Sequence, residues 1–370
     1  MFISYNCKLL GGKNMKKILI IVLMLSMSVL MIAQEVQKKS DIPENVKISL
    51  DGLFKTQTSN GVFKIEYLKT YYWVLEKAVY VNILFRADLE NDKEMMKTKI
   101  EEKFKEIKAK YDEYVKKMEA KKQKEWKKPE EPKLVYPKTF HNIYVRIMKD
   151  GNIYQKYKAP MPENVNNVKY YSFGLILEPG KYQVLVDINR IDNSKDGTQL
   201  INIEVPDYTF IGVFKPRKKL LNSEPVFYEK VETMFEARRE FNVVANKYEI
   251  GPAKQIFYPY IDGAKFKSTE TPTLGFFIIG SVMANANPQW NISAKLEIKG
   301  KPLKKSLKFK EINMNNPFFF QPITFAKTKK DGSKEYLKPG DYTLIIYLKD
   351  KYNRGNMGKG KLEIPFSIVE

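Results

Sequence analysis

The sequence predicts a mainly-β chain: two tandem β-sandwiches, with a long amphipathic helix inserted in the first. Three observations carry that expectation. A turn-and-strand motif occurs twice, short strand-like runs fill both halves, and one stretch free of Gly and Pro, 91–128, follows a helical period. With 370 residues, 43% of them hydrophobic, the chain can fill two sizeable cores and is globular rather than disordered.

The N-terminus reads as an address. Met15-Lys16-Lys17 precedes Ile18 to Ala33, an uncharged and mostly apolar run. A basic n-region before a short apolar h-region is the pattern of a secretory signal peptide, 15–33. As a helix that run spans about 24 Å, short of a bilayer core. Cleavage after Ala33 is the expectation, with an uncleaved anchor as the alternative because Met31 is large for its position. Gly11-Gly12-Lys13-Asn14-Met15 back-translates to a purine-rich ribosome-binding site ahead of a start codon. Met15 is therefore expected to be the initiator and 1–14 a translated leader. The only cysteine, Cys7, lies in that leader, so the exported chain is expected to form no disulfide. No cysteine follows the h-region to take a lipid.

The first sandwich is assigned to 36–214. Its strand-like runs are Val46–Leu50, Val62–Leu68, Tyr80–Phe85, Ile143–Met148 and Tyr170–Leu175. Asp51-Gly52, Asn60-Gly61 and Asp150-Gly151 mark turns between them. Leu177-Glu178-Pro179-Gly180-Lys181-Tyr182 then leads into a hairpin, Tyr182–Asn189 and Thr198–Val205. Pro179 fixes φ at one turn corner, Gly180 accepts a positive φ at the next, and the chain enters a strand. Tyr182 can bury its ring while its hydroxyl bonds nearby backbone.

Asn91 to Lys128 interrupts this unit. Met96, Ile100, Phe104, Ile107, Tyr111, Tyr114 and Met118 recur every three or four residues among Lys and Glu, the signature of an amphipathic helix. Asn91 or Asp92 is the expected N-cap, and Pro129 and Pro132 end the helix. Residues 129–140 are long enough to return as extended chain. The stripe is expected to pack on its own domain, with a projecting partner-binding arm as the alternative.

Residues 215–244 read as a linker containing a short helix or a first strand, and 245–370 as the second sandwich. Its runs are Leu274–Ile279, Ile292–Ile298, Ser306–Phe309 and Ile323–Phe325, with a turn at Asp331-Gly332. Leu337-Lys338-Pro339-Gly340-Asp341-Tyr342 repeats the first motif and opens a second hairpin, Tyr342–Leu348 and Lys361–Ile368. Pro339, Gly340 and Tyr342 thus stand where Pro179, Gly180 and Tyr182 stand. Short strands, frequent turns and no βαβ rhythm indicate sandwiches.

The motif followed by an alternating hairpin resembles the closing strands of fibronectin type III and bacterial Ig-like domains. It covers about thirty residues in each half and implies a sandwich rather than a function. Val205-Pro206-Asp207-Tyr208 and the two-unit plan are also similar to the GWxTD-type extracytoplasmic proteins, whose naming motif is missing here. No residue role is carried over from that family.

The formal charge of +21 invites a nucleic-acid reading, but only seven of the 64 basic residues are Arg, and they are scattered. Phosphate and base recognition favours the Arg fork. A lysine excess spread along the chain fits codon bias and loose attraction to anionic polymers. No nucleic-acid partner is expected.

Catalytic signals are sparse. One His and one Cys cannot build a multi-ligand His/Cys metal site. His141 has no G-x-S-x-G or H-E-x-x-H beside it and is expected to be structural. Asp192-Asn193-Ser194-Lys195-Asp196-Gly197 imitates the start of a calcium loop, but its twelfth position is Ile203 and Glu204 falls one residue late. A plain hairpin turn is the expectation. Asp187, Asp192 and Asp350 lie near hairpin ends and carry no mark of catalysis. No cofactor and no metal site are expected. Aromatics cluster at Tyr71-Tyr72-Trp73, Phe257-Tyr258-Pro259-Tyr260 and Pro317-Phe318-Phe319-Phe320-Gln321-Pro322. Tyr72, Trp73, Phe318, Phe319 and Phe320 are the candidate partner-binding aromatics, against core or inter-domain packing. Three consecutive Phe cannot share one strand face, and the flanking prolines speak against a central strand.

The expected function is a non-enzymatic binding or structural protein of the bacterial cell envelope, periplasmic or at the surface, with an envelope protein or polysaccharide as partner. Carbohydrate binding by exposed Tyr and Trp, or a hydrolase using unmarked carboxylates, are the alternatives. Membrane contact is expected only through an uncleaved signal, and the oligomeric state is left open.

Overall fold

The computed structural model describes residues 42–74, 78–120, 127–163, 165–207, 221–236, 241–261, 263–279, 290–329, 331–352 and 358–370. The expected leader, 1–14, and the expected signal peptide, 15–33, fall outside them. The first half runs α1 (Glu44–Thr56), β1 (Ile65–Val74), β2 (Val79–Ala87), α2 (Glu90–Ala120), β3 (His141–Lys149), β4 (Asn152–Pro160), β5 (Tyr171–Leu177), β6 (Gly180–Arg190) and β7 (Asp196–Val205). The second begins with β8 (Leu221–Asn222), β9 (Val226–Thr233), β10 (Val243–Ala245), β11 (Tyr248–Ile250), β12 (Gln255–Pro259), β13 (Lys265–Lys267), β14 (Thr273–Ile279) and β15 (Ile292–Gly300). It ends with β16 (Leu307–Lys308), β17 (Ile312–Met314), β18 (Phe318–Pro322), the β19–β20 ribbon (Ala326–Thr328, Lys334–Tyr336), β21 (Gly340–Asp350) and β22 (Lys359–Val369).

The fold is mainly β, with two tandem sandwiches and a helix inserted in the first. One sheet of the first sandwich has the order β1-β2-β5-β10, the other β4-β3-β6-β7. Alternate residues of each point inward: Ile83, Phe173 and Leu175 meet Val145, Val184 and Val186 in one core. The second sandwich pairs β11-β12-β9-β14-β18 with β13-β22-β21-β15-β16. Phe276, Ile278, Leu296, Leu344, Ile346 and Phe366 fill its core.

The repeated motif has the same geometry twice. Gly180 and Gly340 take φ of 149° and 147°, which a side chain would resist. The Tyr182 hydroxyl donates to the Glu178 carbonyl at 3.0 Å, and Tyr342 to the Lys338 carbonyl at 2.7 Å. Each ring is buried while its hydroxyl closes the turn that precedes the strand.

Two strand expectations change. Val46–Leu50 belongs to α1, not to a strand. Its buried residues are Val46, Leu50 and Leu53, spaced four and three, while Ile48 is 66% exposed. Pro43 precedes the first turn and left-handed Gln57 ends the helix. The helix lies on the outer face of the β3–β6 sheet, where Leu50 and Leu53 meet Tyr144, Met148 and Leu185. Ile323–Phe325 lies between β18 and β19 and is not a strand, although Ile323 and Phe325 plug the second core.

The described residues between 221 and 250 form short strands. β8 and β9 join the second sandwich, β10 crosses back to pair with β5 as an edge of the first, and β11 returns to the second. The sandwiches therefore exchange chain at β10. Val243 and Ala245 alternate into the first core, which makes this short crossing worthwhile.

The insertion forms α2, starting at Glu90 and described to Ala120. Leu89 anchors it in the first core. Farther out, its partner is the return segment: Tyr111 donates to the Pro129 carbonyl at 2.7 Å, Lys108 pairs with Glu131, and Tyr136 bonds Glu101. Among its described side chains only Asp92, Tyr111 and Val115 are fully buried.

Candidate functional site

The candidate aromatics converge, but on one another. In β1, alternation sends Tyr72 toward the first core, while Tyr71 and Trp73 face outward. In β18 it sends Phe319 into the second core, fully buried, and Phe318 and Phe320 outward. The two outward faces meet. The Trp73 ring centroid lies 4.7 Å from Phe318, 5.0 Å from Phe277 and 5.4 Å from Phe257. Tyr71 stacks on Tyr248 at 5.2 Å, and Tyr248 on Phe257 at 5.1 Å. Edge-to-face and offset contacts at these distances add to the area they bury. The Tyr248 hydroxyl donates to that of Tyr228 at 2.8 Å. Burial pushes the phenols of Tyr71, Tyr228 and Tyr248 well above their ordinary range, so they stay neutral. Tyr72 instead bonds the Glu204 carbonyl at 3.2 Å. These residues form a seam between sandwiches, in which Trp73 and Phe318 are half-buried. β18 is an edge strand ending at Pro322, as the prolines required.

His141 sits in a buried charged network at the root of α2. Its Nε2 lies 3.1 Å from Asp92 Oδ2, and its Nδ1 lies 3.2 Å from Glu163 Oε1. A neutral ring donates through one nitrogen only; an imidazolium donates through both. Arg190 grips both Asp92 oxygens, through Nε at 2.6 Å and through Nη2, and Lys195 Nζ lies 3.4 Å away. Glu163 also accepts from the Phe140 N–H at 3.1 Å, while Lys93 Nζ donates to its carbonyl at 2.8 Å. Burial works to raise the Asp92 carboxyl, but bonds from Arg190 and His141 outweigh it and hold it at about 2. The same contest, won by the His141 bond, lowers Glu163. Asp92 therefore does not cap α2; it stands in the first turn with its carboxylate committed to Arg190.

His141 is completely buried in this network, with Asp92 and Arg190 nearly so, while Lys195 reaches the surface. Its nearby hydroxyls are engaged: Thr139 bonds the His141 carbonyl, and Ser194 bonds Asp192. It ties together α2, β3, the end of β6 and the segment at Glu163. Sequence reasoning picked out His141 and missed Glu163, Arg190 and Lys195 as its surroundings. Two signals were available: a charged Arg at the end of an apolar strand, and an Asp in the first turn of the helix.

The turn at Asp192–Gly197 is a hairpin turn. Asp192 Oδ1 accepts the Ser194 N–H at 3.0 Å and its hydroxyl at 2.6 Å, closing its own loop, and Ile203 faces the core. Asp350 is buried and accepts the Tyr352 N–H at 2.9 Å. Asp187 lies under α1, where burial and then the nearby Asp196 charge push its carboxyl up to about 7. Neither of these carboxylates opens into a cleft. Among the described residues, no three His, Cys, Asp or Glu side chains gather as metal ligands, and no helix is long and apolar enough to cross a membrane.

These sheets and their paired tyrosine turns define a mainly-β, tandem β-sandwich protein. No family model matches the chain, and neither does any curated protein. Among solved structures, a crystal structure of consecutive titin domains is similar at 9% identity and a TM-score of 0.15, covering 85% of this chain and all of that one. At that score the likeness carries no argument, and the class rests on the sheets themselves.

Proposed function

We propose that this is an exported, non-enzymatic binding or structural protein of the bacterial cell envelope, in which two joined sandwiches hold out a helical arm. The observation that carries the proposal is the arm. α2 is rooted in the first sandwich by Leu89 and the Asp92–Arg190 pair, yet its apolar stripe beyond the root is only half covered by a thin return segment. Leu134, Val135 and Tyr136 of that return stay exposed. An exposed apolar strip on a charged arm is the kind of surface that partners use. The signal-peptide pattern at 15–33 supports export, and the fibronectin type III and bacterial Ig-like resemblance fits a chain that displays rather than catalyses. Carbohydrate stacking is disfavoured because Trp73 and Phe318 are spent on the seam.

Fractionation of bacteria expressing the chain from Met15 with a C-terminal tag tests the proposal. The tagged protein is expected outside the cytoplasm, with Gln34 as its first residue. Retention as a cytoplasmic precursor would overturn export. Turnover that vanishes on His141→Gln or Asp187→Asn while the fold survives would overturn the non-enzymatic part.

A further inference from the structure

Beneath α1, the outer face of the β3–β6–β7 sheet holds a buried acid. On β6, Val184, Val186 and Ile188 face the core, so alternation turns Leu185, Asp187 and Asn189 outward. The register sets Tyr144 of β3 and Thr198 of β7 on either side of Asp187. Asp187 is completely buried and Asn189 is 1% exposed. From α1, Ser49 lies beside Asp187 and donates to Asp196 Oδ2 at 3.0 Å. The described cations around this face are committed elsewhere. Arg146 of β3 pairs with Asp51 of α1, Lys158 of β4 lies 5.4 Å over the Tyr144 ring, and Lys47 of α1 reaches Glu44. By the same alternation His141 and Arg190 take the opposite faces of their strands, where they and Lys195 meet Asp92. The charge that does act on Asp187, from Asp196, is also negative.

A buried carboxylate with no cation beside it loses its hydration and gains nothing in return, so it keeps its proton instead. The protonated carboxyl fits this seat: its O–H can donate to Asn189 Oδ1 while its other oxygen accepts from the Asn189 amide, with the Ser49 hydroxyl alongside. Ionised, Asp187 must reach water, and the cover over it is α1. That helix is held by one apolar face, Val46, Leu50 and Leu53, and Gln57, Thr58 and Ser59 after it are exposed, so it can lift as a unit. We propose that Asp187 is a proton-operated latch for α1, seating the helix on the sheet when protonated and loosening it when ionised. With α1 lifted, the carboxyl returns to the ordinary range. The stabilisation is therefore complete below about pH 4 and is lost as pH rises through about 7. Asp92 and Glu163, at the root of α2, respond with the opposite sign.

Hydrogen exchange of the full chain tests the latch, read by mass spectrometry on α1 peptides and corrected for the intrinsic pH dependence of exchange. Strand β21 of the second sandwich serves as the reference. Relative to it, protection of α1 is expected to fall about tenfold or more between about pH 5 and about pH 8. Asp187→Asn, neutral and of the same shape, is expected to remove that fall. Asp196→Asn is expected to keep it but move its midpoint to lower pH, because the neighbouring negative charge is gone. Equal protection of α1 at both pH values in the wild type would overturn the latch, and so would an undiminished fall in Asp187→Asn. If Asp187→Asn unseats α1 at every pH, carbon NMR of the Asp187 carboxyl in the wild type decides. A midpoint well above the ordinary carboxyl range supports the latch, and one within that range overturns it.

Discussion

His141 meets two carboxylates, and that decides how the root of the arm responds to acid. The Asp92 and Glu163 carboxyls titrate lower in the fold than in the unfolded chain. Their stabilisation is therefore complete above the unfolded values near 4 and is lost as pH falls through the folded ones, about 2 for Asp92. Acid titration followed by circular dichroism should show stability falling between about pH 4 and pH 2. Asp92→Asn should shrink that dependence. It should also cost about 3 to 5 kcal/mol in urea melts, because it leaves Arg190 buried without its partner. A milder pair of changes probes the repeat. Tyr182→Phe and Tyr342→Phe each remove one bond to a turn carbonyl, and each should cost about 1 kcal/mol. A change that costs nothing at one site would break the equivalence of the two motifs. At this scale the turn residues were legible in the sequence because L-x-P-G-x-Y has a local physical cause. The network was not, because Asp92, Glu163 and Arg190 are brought together only by tertiary structure.

Among the elements, α1 shows how a short sequence can mislead. Val46, Ile48 and Leu50 alternate as a strand would, but Leu53 continues a helical face and Ile48 is left in solvent. Five residues cannot separate period two from period 3.6; the neighbours of the run decide. The helix makes a sharp prediction for urea melts. Ile48→Lys should change stability by less than about 0.5 kcal/mol, whereas Leu50→Ala should cost about 2 to 5 kcal/mol. Similar costs at both sites would favour a strand. The long helix was legible because its period holds over seven apolar positions. What its stripe faces was not: the expected packing on the domain gives way to a pairing with its own return segment through Tyr111, Lys108 and Tyr136.

Taken whole, the molecule is two sandwiches that trade strands and press aromatic faces together. Strand alternation explains why consecutive aromatics serve different ends: Tyr72 and Phe319 fill separate cores while Trp73 and Phe318 meet between them. That partition was readable within each strand, but the meeting of the two faces was not, since it needs the crossing of β10. Trp73→Ala should cost about 3 kcal/mol and leave both sandwiches folded. The central claim is that chain exchange and the aromatic seam make the pair one cooperative unit carrying the arm. Differential scanning calorimetry of residues 34–370 tests it most directly. A single transition is predicted, with calorimetric and van't Hoff enthalpies in agreement. Two separate transitions in the wild type, one for each sandwich, would contradict it.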